Sequence, residues 1–284
     1  TFMLVCSMTP EEKVQELKHD YMELMPSINA WAVAFSKEVK KIKNIQWMIG
    51  SLEKHKICKT RNGNEWHIYY RIKHGYCVSN SIIPLNGPQL HLLTYLSNPA
   101  APIVREYTPH FMKRYSERFL QPQGINRSGI EALAYFESRT INRVLYTDED
   151  DKTIYSISDD GFMISEDLKC MELMKTFIAR DEELSKNKVH FTNQVVSLMM
   201  FYRYLLTHQR KLTFTAVFEE LKKVKLVEKN IIKAFEAHFR NCQRLNYEDV
   251  IFFIYVWLRK TRRQTGTVKN IIFNKIESCF EQNQ

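Results

Sequence analysis

The chain is 284 residues long with a formal net charge of +9, 44% hydrophobic and 12% aromatic residues, and only 8 Gly and 8 Pro. That composition excludes a disordered or collagen-like chain and supplies apolar side chains for one large core or two modest ones. The 6 cysteines form no CxxC pair and no Cys/His spacing of the zinc type, so they read as small buried residues in a reducing compartment, and a cytoplasmic location is expected.

Taken in chain order, Phe2 to Val5 is too short for a secretory signal and lacks a basic leader. Thr9-Pro10-Glu11-Glu12 then has the form of a helix start, with Thr9 as N-cap, proline in the first turn and acids beside the positive end of the helix. Helical spacing follows through Val14, Leu17, Tyr21 and Leu24, and again through Ala32, Phe35, Val39 and Ile42 toward Leu52. Pro26 separates the two stretches, which predicts an αα-hairpin.

Asn62-Gly63-Asn64 predicts a turn, and Trp66, Ile68, Tyr70 and Ile72 beyond it alternate with polar partners as in a strand. Further strands are expected over 76–83, 89–96 and 103–107, separated by Gly75, Asn86-Gly87-Pro88 and Asn98-Pro99, a meander. Thr108-Pro109 opens a helix to about Leu120 by the same device as the N-terminus, and a shorter helix is expected over 128–138. Strands resume over 141–147 and 153–158 around the acidic turn Asp148-Glu149-Asp150-Asp151, with weaker signals over 162–165 and 170–178.

From Asp181 the apolar period is helical, with segments over 189–208, 215–224, 228–242, 247–261 and 268–280, and Thr213, Asn246 and Thr267 near their starts. The expected class is therefore α+β: an N-terminal helical hairpin, a central antiparallel sheet with inserted helices, and an all-α C-terminal third. This divides into an α+β domain over residues 9–185 and an all-helical domain over 186–284. No stretch reaches the roughly 18 consecutive apolar residues of a membrane helix; Val250 to Leu258 is the best and is flanked by charge.

The positive charge is concentrated. From Lys54 to Arg105 the sole acid is Glu65, and from Val250 to Ile276 there is none. Summed positive potential attracts phosphate-rich partners, so the expected partner is nucleic acid, RNA among the candidates, or another polyanion. The contacts would come from Lys54, Lys56, Lys59, Arg61, Arg71 and Lys73, and from Arg259, Lys260, Arg262 and Arg263. The last four also end an apolar helix, where cations favour the negative end of the dipole. A protein partner docking on the C-terminal helices is the competing expectation.

Gly-rich phosphate loops, HExxH and GxSxG are absent, which disfavours nucleotide kinases, zinc proteases of that class and α/β-hydrolases. His55, His67, His74 and His91 have no carboxylate or thiolate at ligand spacing, so they read as exposed strand histidines; neither metal nor cofactor is expected. Trp31, Trp47, Trp66 and Trp257 fall at core spacing rather than on a base-stacking platform.

One segment puts function-capable residues in geometric order. In the helix after Thr108, His110, Arg114 and Arg118 recur every four residues beside an aromatic stripe of Phe111, Tyr115 and Phe119. The aromatic stripe faces a core, so the His/Arg stripe borders a buried face. There guanidiniums clamp phosphate and an imidazole moves protons near neutral pH, the parts of a metal-independent ribonuclease. Tyr107, His91 and His67 are the candidates for a second proton carrier. The structural alternative pairs Arg114 and Arg118 with Glu117 or the acidic turn.

The order from His110 to Ile178, a helix bearing HxxxRxxxRF, a short helix and then strands, resembles toxin-type ribonucleases of the RelE, barnase and colicin kind, including a BrnT-like pattern. The likeness implies a metal-independent ribonuclease with His110, Arg114 and Arg118 on the helix bordering the sheet and Thr176 on a terminal strand near the substrate. It covers about a quarter of the chain, and the long helical segments at both ends depart from those small toxins.

Overall fold

The N-terminal helix signal yields one helix, not two. In the computed structural model, which describes residues 3–41, 53–73, 76–97, 102–139, 143–148, 152–158, 160–180, 193–225 and 227–263, helix α1 runs unbroken over Pro10–Lys40. Its start is the expected capping box: Thr9 Oγ1 accepts from Glu12 N at 3.3 Å, and Thr9 N donates to Glu12 Oε2 at 2.8 Å. The predicted hairpin at Pro26 is therefore corrected.

The reason is packing. Pro26 lies exposed on the outer side of α1, while Leu17, Leu24, Ile28, Phe35 and Val39 on both sides of it are buried against one sheet. A proline in a helix interior costs about 3 kcal/mol, and burying each large aliphatic or aromatic side chain returns about 1.5–3 kcal/mol. Continuity wins that comparison.

Two compact units emerge, Thr1–Ala179 and Arg180–Gln284. The first is built on a nine-stranded sheet: β1 Glu53–Lys59, β2 Glu65–Lys73, β3 Tyr76–Pro84, β4 Leu92–Leu96, β5 Ile103–Tyr107, β6 Arg143–Asp148, β7 Thr153–Ile157, β8 Gly161–Asp167 and β9 Glu172–Ala179. Their spatial order is β1-β2-β3-β4-β5-β9-β8-β7-β6. Every ladder is antiparallel except β5 with β9, which pair parallel through Arg105↔Glu172, Glu106↔Leu173 and Tyr107↔Met174. The sheet is thus mixed rather than purely antiparallel, because two helices and the β6–β8 meander intervene before β9 returns beside β5.

Those helices are α2 (Pro109–Tyr115), which continues as one wide π turn over Ser116–Leu120, and α3 (Gly129–Arg139). Thr108 caps α2 as its sequence predicts, accepting from Phe111 N at 3.1 Å. The two faces of the sheet are covered separately. Trp66, Ile68, Tyr70 and Ile72 of β2, with Ile83, Leu93, Tyr95 and Val104, pack under α1. Their alternates Tyr69, Ile82, Leu92 and Tyr107, with Met163, Met174 and Phe177, pack under α2 and α3. That second core is rich in edge-to-face rings, such as Tyr115–Phe177 at 5.1 Å and Phe111–Phe136 at 5.5 Å.

The second unit comprises α4 (Asn193–Thr207), a 3-10 turn over Gln209–Lys211, α5 (Phe214–Leu221), α6 (Lys229–Phe239) and α7 (Tyr247–Arg263). Thr213 caps α5, and Asn246 Oδ1 accepts from Glu248 N at 2.8 Å at the start of α7. Leu245 N donates to Leu212 O at 3.0 Å, so the segments entering α5 and α7 are tied backbone to backbone. Phe214, Phe218, Phe235, Phe239 and Phe253 form its aromatic cluster. The helix expected over 268–280 and the Lys186–Lys188 segment lie outside the described residues. No helix among the described residues is long and apolar enough to cross a membrane.

Candidate nucleic-acid interface

One group of exposed positive charge in the first unit follows from where β1 ends up. It is the outermost strand of the sheet among the described residues, and its alternation sends Lys54, Lys56 and Cys58 toward α1 while His55, Ile57 and Lys59 go to the other face. Helix α1 runs along this edge. Glu38 meets Lys54 at 2.7 Å, the Lys56 ammonium stands 6.0 Å from the Trp31 ring, and Glu23 accepts from the backbone N of Arg61 at 3.2 Å. The exposed Lys37, Lys40 and Lys41 at the end of the helix extend the same surface.

The sequence-predicted contacts divide on this geometry. Lys56, Lys59 and Arg61 are exposed, and Lys54 is half-exposed in an ion pair that solvent and salt weaken. Arg71 is not part of the surface: it is buried, its Nε donates to Glu53, and its Nη2 donates to the Ala134 carbonyl at 2.9 Å. It serves instead to fasten α3 to β2. The side chains of Lys73, Arg259, Lys260, Arg262 and Arg263 lie outside the described residues.

His110, Arg114 and Arg118 all lie on the α2–π segment, which packs over β9 on the face away from α1. The sheet therefore does not bring them together with the β1 edge. His110 is exposed, Arg114 is half-buried, and Arg118 is engaged by other groups of the chain. Glu117, a candidate partner for the arginines, is 3.9 Å from Lys113 instead. Thr176 sits half-buried on β9.

The candidate proton carriers have other duties. The Tyr107 hydroxyl is buried and donates to Glu137, and burial together with that carboxylate raises its pKa far above the ordinary tyrosine value. His91 Nδ1 lies 2.7 Å from Glu106 Oε1, whose other oxygen receives Lys13 Nζ at 2.8 Å. His67, expected to be exposed, is buried, 2.8 Å from Glu65 and 3.2 Å from His55 Nε2. His55 stacks on Tyr69 at 4.2 Å, and burial with the adjacent His67 lowers its pKa below the ordinary value.

One buried polar network had no signal in the sequence. Arg105 Nε donates to Glu172 Oε2 at 3.0 Å, its Nη1 is 3.6 Å from Glu137, and Ser165 Oγ donates to Glu172. Burial by itself would lower the Arg105 pKa, but Glu172, Tyr107 and Glu137 more than offset this and hold the guanidinium charged. Residues 67 and 32 positions apart along the chain meet here, so no local spacing could announce them. Among the described residues, Glu16, His19 and Asp20 on α1 are the one His/Cys/Asp/Glu group with metal-ligand spacing.

No protein-family model matches the chain, and comparison with curated proteins and with solved structures returns no match.

Proposed function

We propose that the α1–β1 edge binds nucleic acid or a similarly phosphate-rich polymer. The observation that supports this reading is the set of exposed cations around the outermost strand of the described sheet, Lys56 on its α1 face, Lys59 on the other and Arg61 in the turn that follows, together with exposed Lys37, Lys40 and Lys41 of the adjoining helix. Lysines on an edge strand also discourage pairing with a second sheet, so the same side chains oppose edge-to-edge association. Phosphate contacts of this kind release counterions on binding, and the affinity falls steeply with salt.

Fluorescence anisotropy with single-stranded RNA and with duplex DNA across a salt series tests this. The double variant K56A/K59A is expected to weaken binding and to flatten the log–log salt slope by roughly 1.4–1.8, at about 0.7–0.9 per lost contact. A slope unchanged in that variant, or lost equally in K211A of the helical unit, sinks the proposal. Protein docking on the helical unit would show no salt-steep affinity for either polymer.

A ribonuclease reading has one supporting observation of its own: exposed His110 and half-buried Arg114 stand one turn apart, with Glu117 turned to Lys113. It requires RNA cleavage in the presence of a chelator that disappears in both H110A and R114A; cleavage surviving either variant removes it.

A further inference from the structure

Three side chains of one helical turn, on the side of α1 that meets the β1–β2 turn, stand in an unusual electrostatic position. Ligand-capable atoms of Glu16, His19 and Asp20 lie within 4.8 Å of one another. Asp20 is fully buried and Glu16 nearly so, yet neither carboxylate has a cationic salt-bridge partner among the described residues. Lys13, one turn before Glu16 on the helix, is committed to Glu106, and Lys18, between the two carboxylates in sequence, is exposed and forms no salt bridge with either among the described residues. Neutral groups alone attend them: Asn62 Nδ2 donates to Glu16, while Asn64 Nδ2 at 2.8 Å and Trp66 Nε1 at 3.0 Å both donate to Asp20 Oδ2. The second oxygen, Asp20 Oδ1, is buried and has no hydrogen-bond donor among the described residues.

Buried charges in proteins are paired with opposite charge or coordinate metal. Two carboxylates at i and i+4 with a histidine at i+3 project from the same side of the helix, so their ligand atoms converge. The imidazole disfavours calcium and magnesium, which take oxygen ligands, and favours a borderline transition ion. We propose that Glu16, His19 and Asp20 bind a divalent transition-metal ion of the zinc or cobalt type, with Asp20 Oδ1 as the oxygen left for it.

The surroundings suit such a site. Asn62, Asn64 and Trp66 hold the two carboxylates from behind in the manner of outer-shell donors, and exposed His19 closes the site from the solvent side. Three ligands from one turn cover one side of an ion and leave positions for water or an exogenous ligand. Bond lengths of about 2.0–2.2 Å need a small inward rotation of the three side chains.

Titration of the full chain with Co2+ tests this. Expected are one saturable ion per chain, a visible spectrum of nitrogen and oxygen ligation without a thiolate charge-transfer band, and quenching of tryptophan fluorescence that W66F largely removes. H19A, at an exposed position, keeps the native circular dichroism and loses affinity by at least roughly tenfold, the loss that even an outer-shell change produces. E16Q is the second variant, since D20N risks the fold through Asn64 and Trp66. Absence of saturable binding, a thiolate band, or wild-type affinity in both H19A and E16Q overturns the proposal.

Discussion

The two faces of the sheet in the first unit solve the same covering problem differently. On one, a single 31-residue helix buries an aliphatic and aromatic stripe, and its buried ion group has a spare member, since Glu106 is held by both Lys13 and His91. On the other, two short helices cover a cluster of rings, and Arg105 is the one cation among the described residues that answers both Glu172 and Glu137, beside the neutral donors Ser165 and Tyr107. A long helix can rely on area. Short ones depend on particular polar contacts, and the loss of one contact weighs more there.

That contrast breaks most visibly at the two cations. R105A leaves buried Glu172 and half-buried Glu137 without their countercharge, with only the neutral donors Ser165 and Tyr107, and is expected to cost about 3–5 kcal/mol, whereas K13A leaves Glu106 with His91 and costs about 1–3 kcal/mol. Urea denaturation of the two variants side by side decides it, and equal losses would refute the difference between the faces. The continuity of the long helix is sharpened by P26A. Restoring an N–H to an exposed interior position should raise stability by up to about 3 kcal/mol, and a variant that is destabilised would mean the proline is needed where it stands.

The smallest effect concerns the margin of the ring-rich face. The folded protein lowers the His55 pKa, so the unfolded chain binds that proton more readily. The associated stability is present above the unfolded value of about 6.5 and is lost as the pH falls through the lower, folded value. Thermal melts on either side of this window should show acid weakening in the wild type that H55F reduces, since phenylalanine can keep the stack on Tyr69.

Much of the first unit was legible because its signals are local. Thr9 and Thr108 cap as their neighbours predict, and the alternation through Trp66, Ile68, Tyr70 and Ile72 marks the strand and the face it buries. The misses share a cause. Strand β1 was obscured because Glu-Lys-His-Lys-Ile-Cys-Lys at an edge needs no apolar face of its own. The break expected at Pro26 was overridden by packing on a sheet more than 25 residues away in sequence. The wide turn over Ser116–Leu120, the parallel pairing of β5 with β9, and the Arg105 network depend on contacts that no window of sequence contains. Of the candidate residues, exposure of Lys56, Lys59 and Arg61 followed from their charge, but the withdrawal of Arg71 into the core required Glu53 and Ala134 to be in place.

The parallel joint between β5 and β9 is the seam of the sheet. On either side lie meanders whose neighbouring strands are adjacent in the chain and can zip locally, whereas the seam joins three residue pairs across 67 positions. Loop-closure entropy makes such a pairing late in folding. The Arg105–Glu172 contact sits on the first of those pairs, so the ion network works as a clasp that fastens the two locally connected meanders into one sheet.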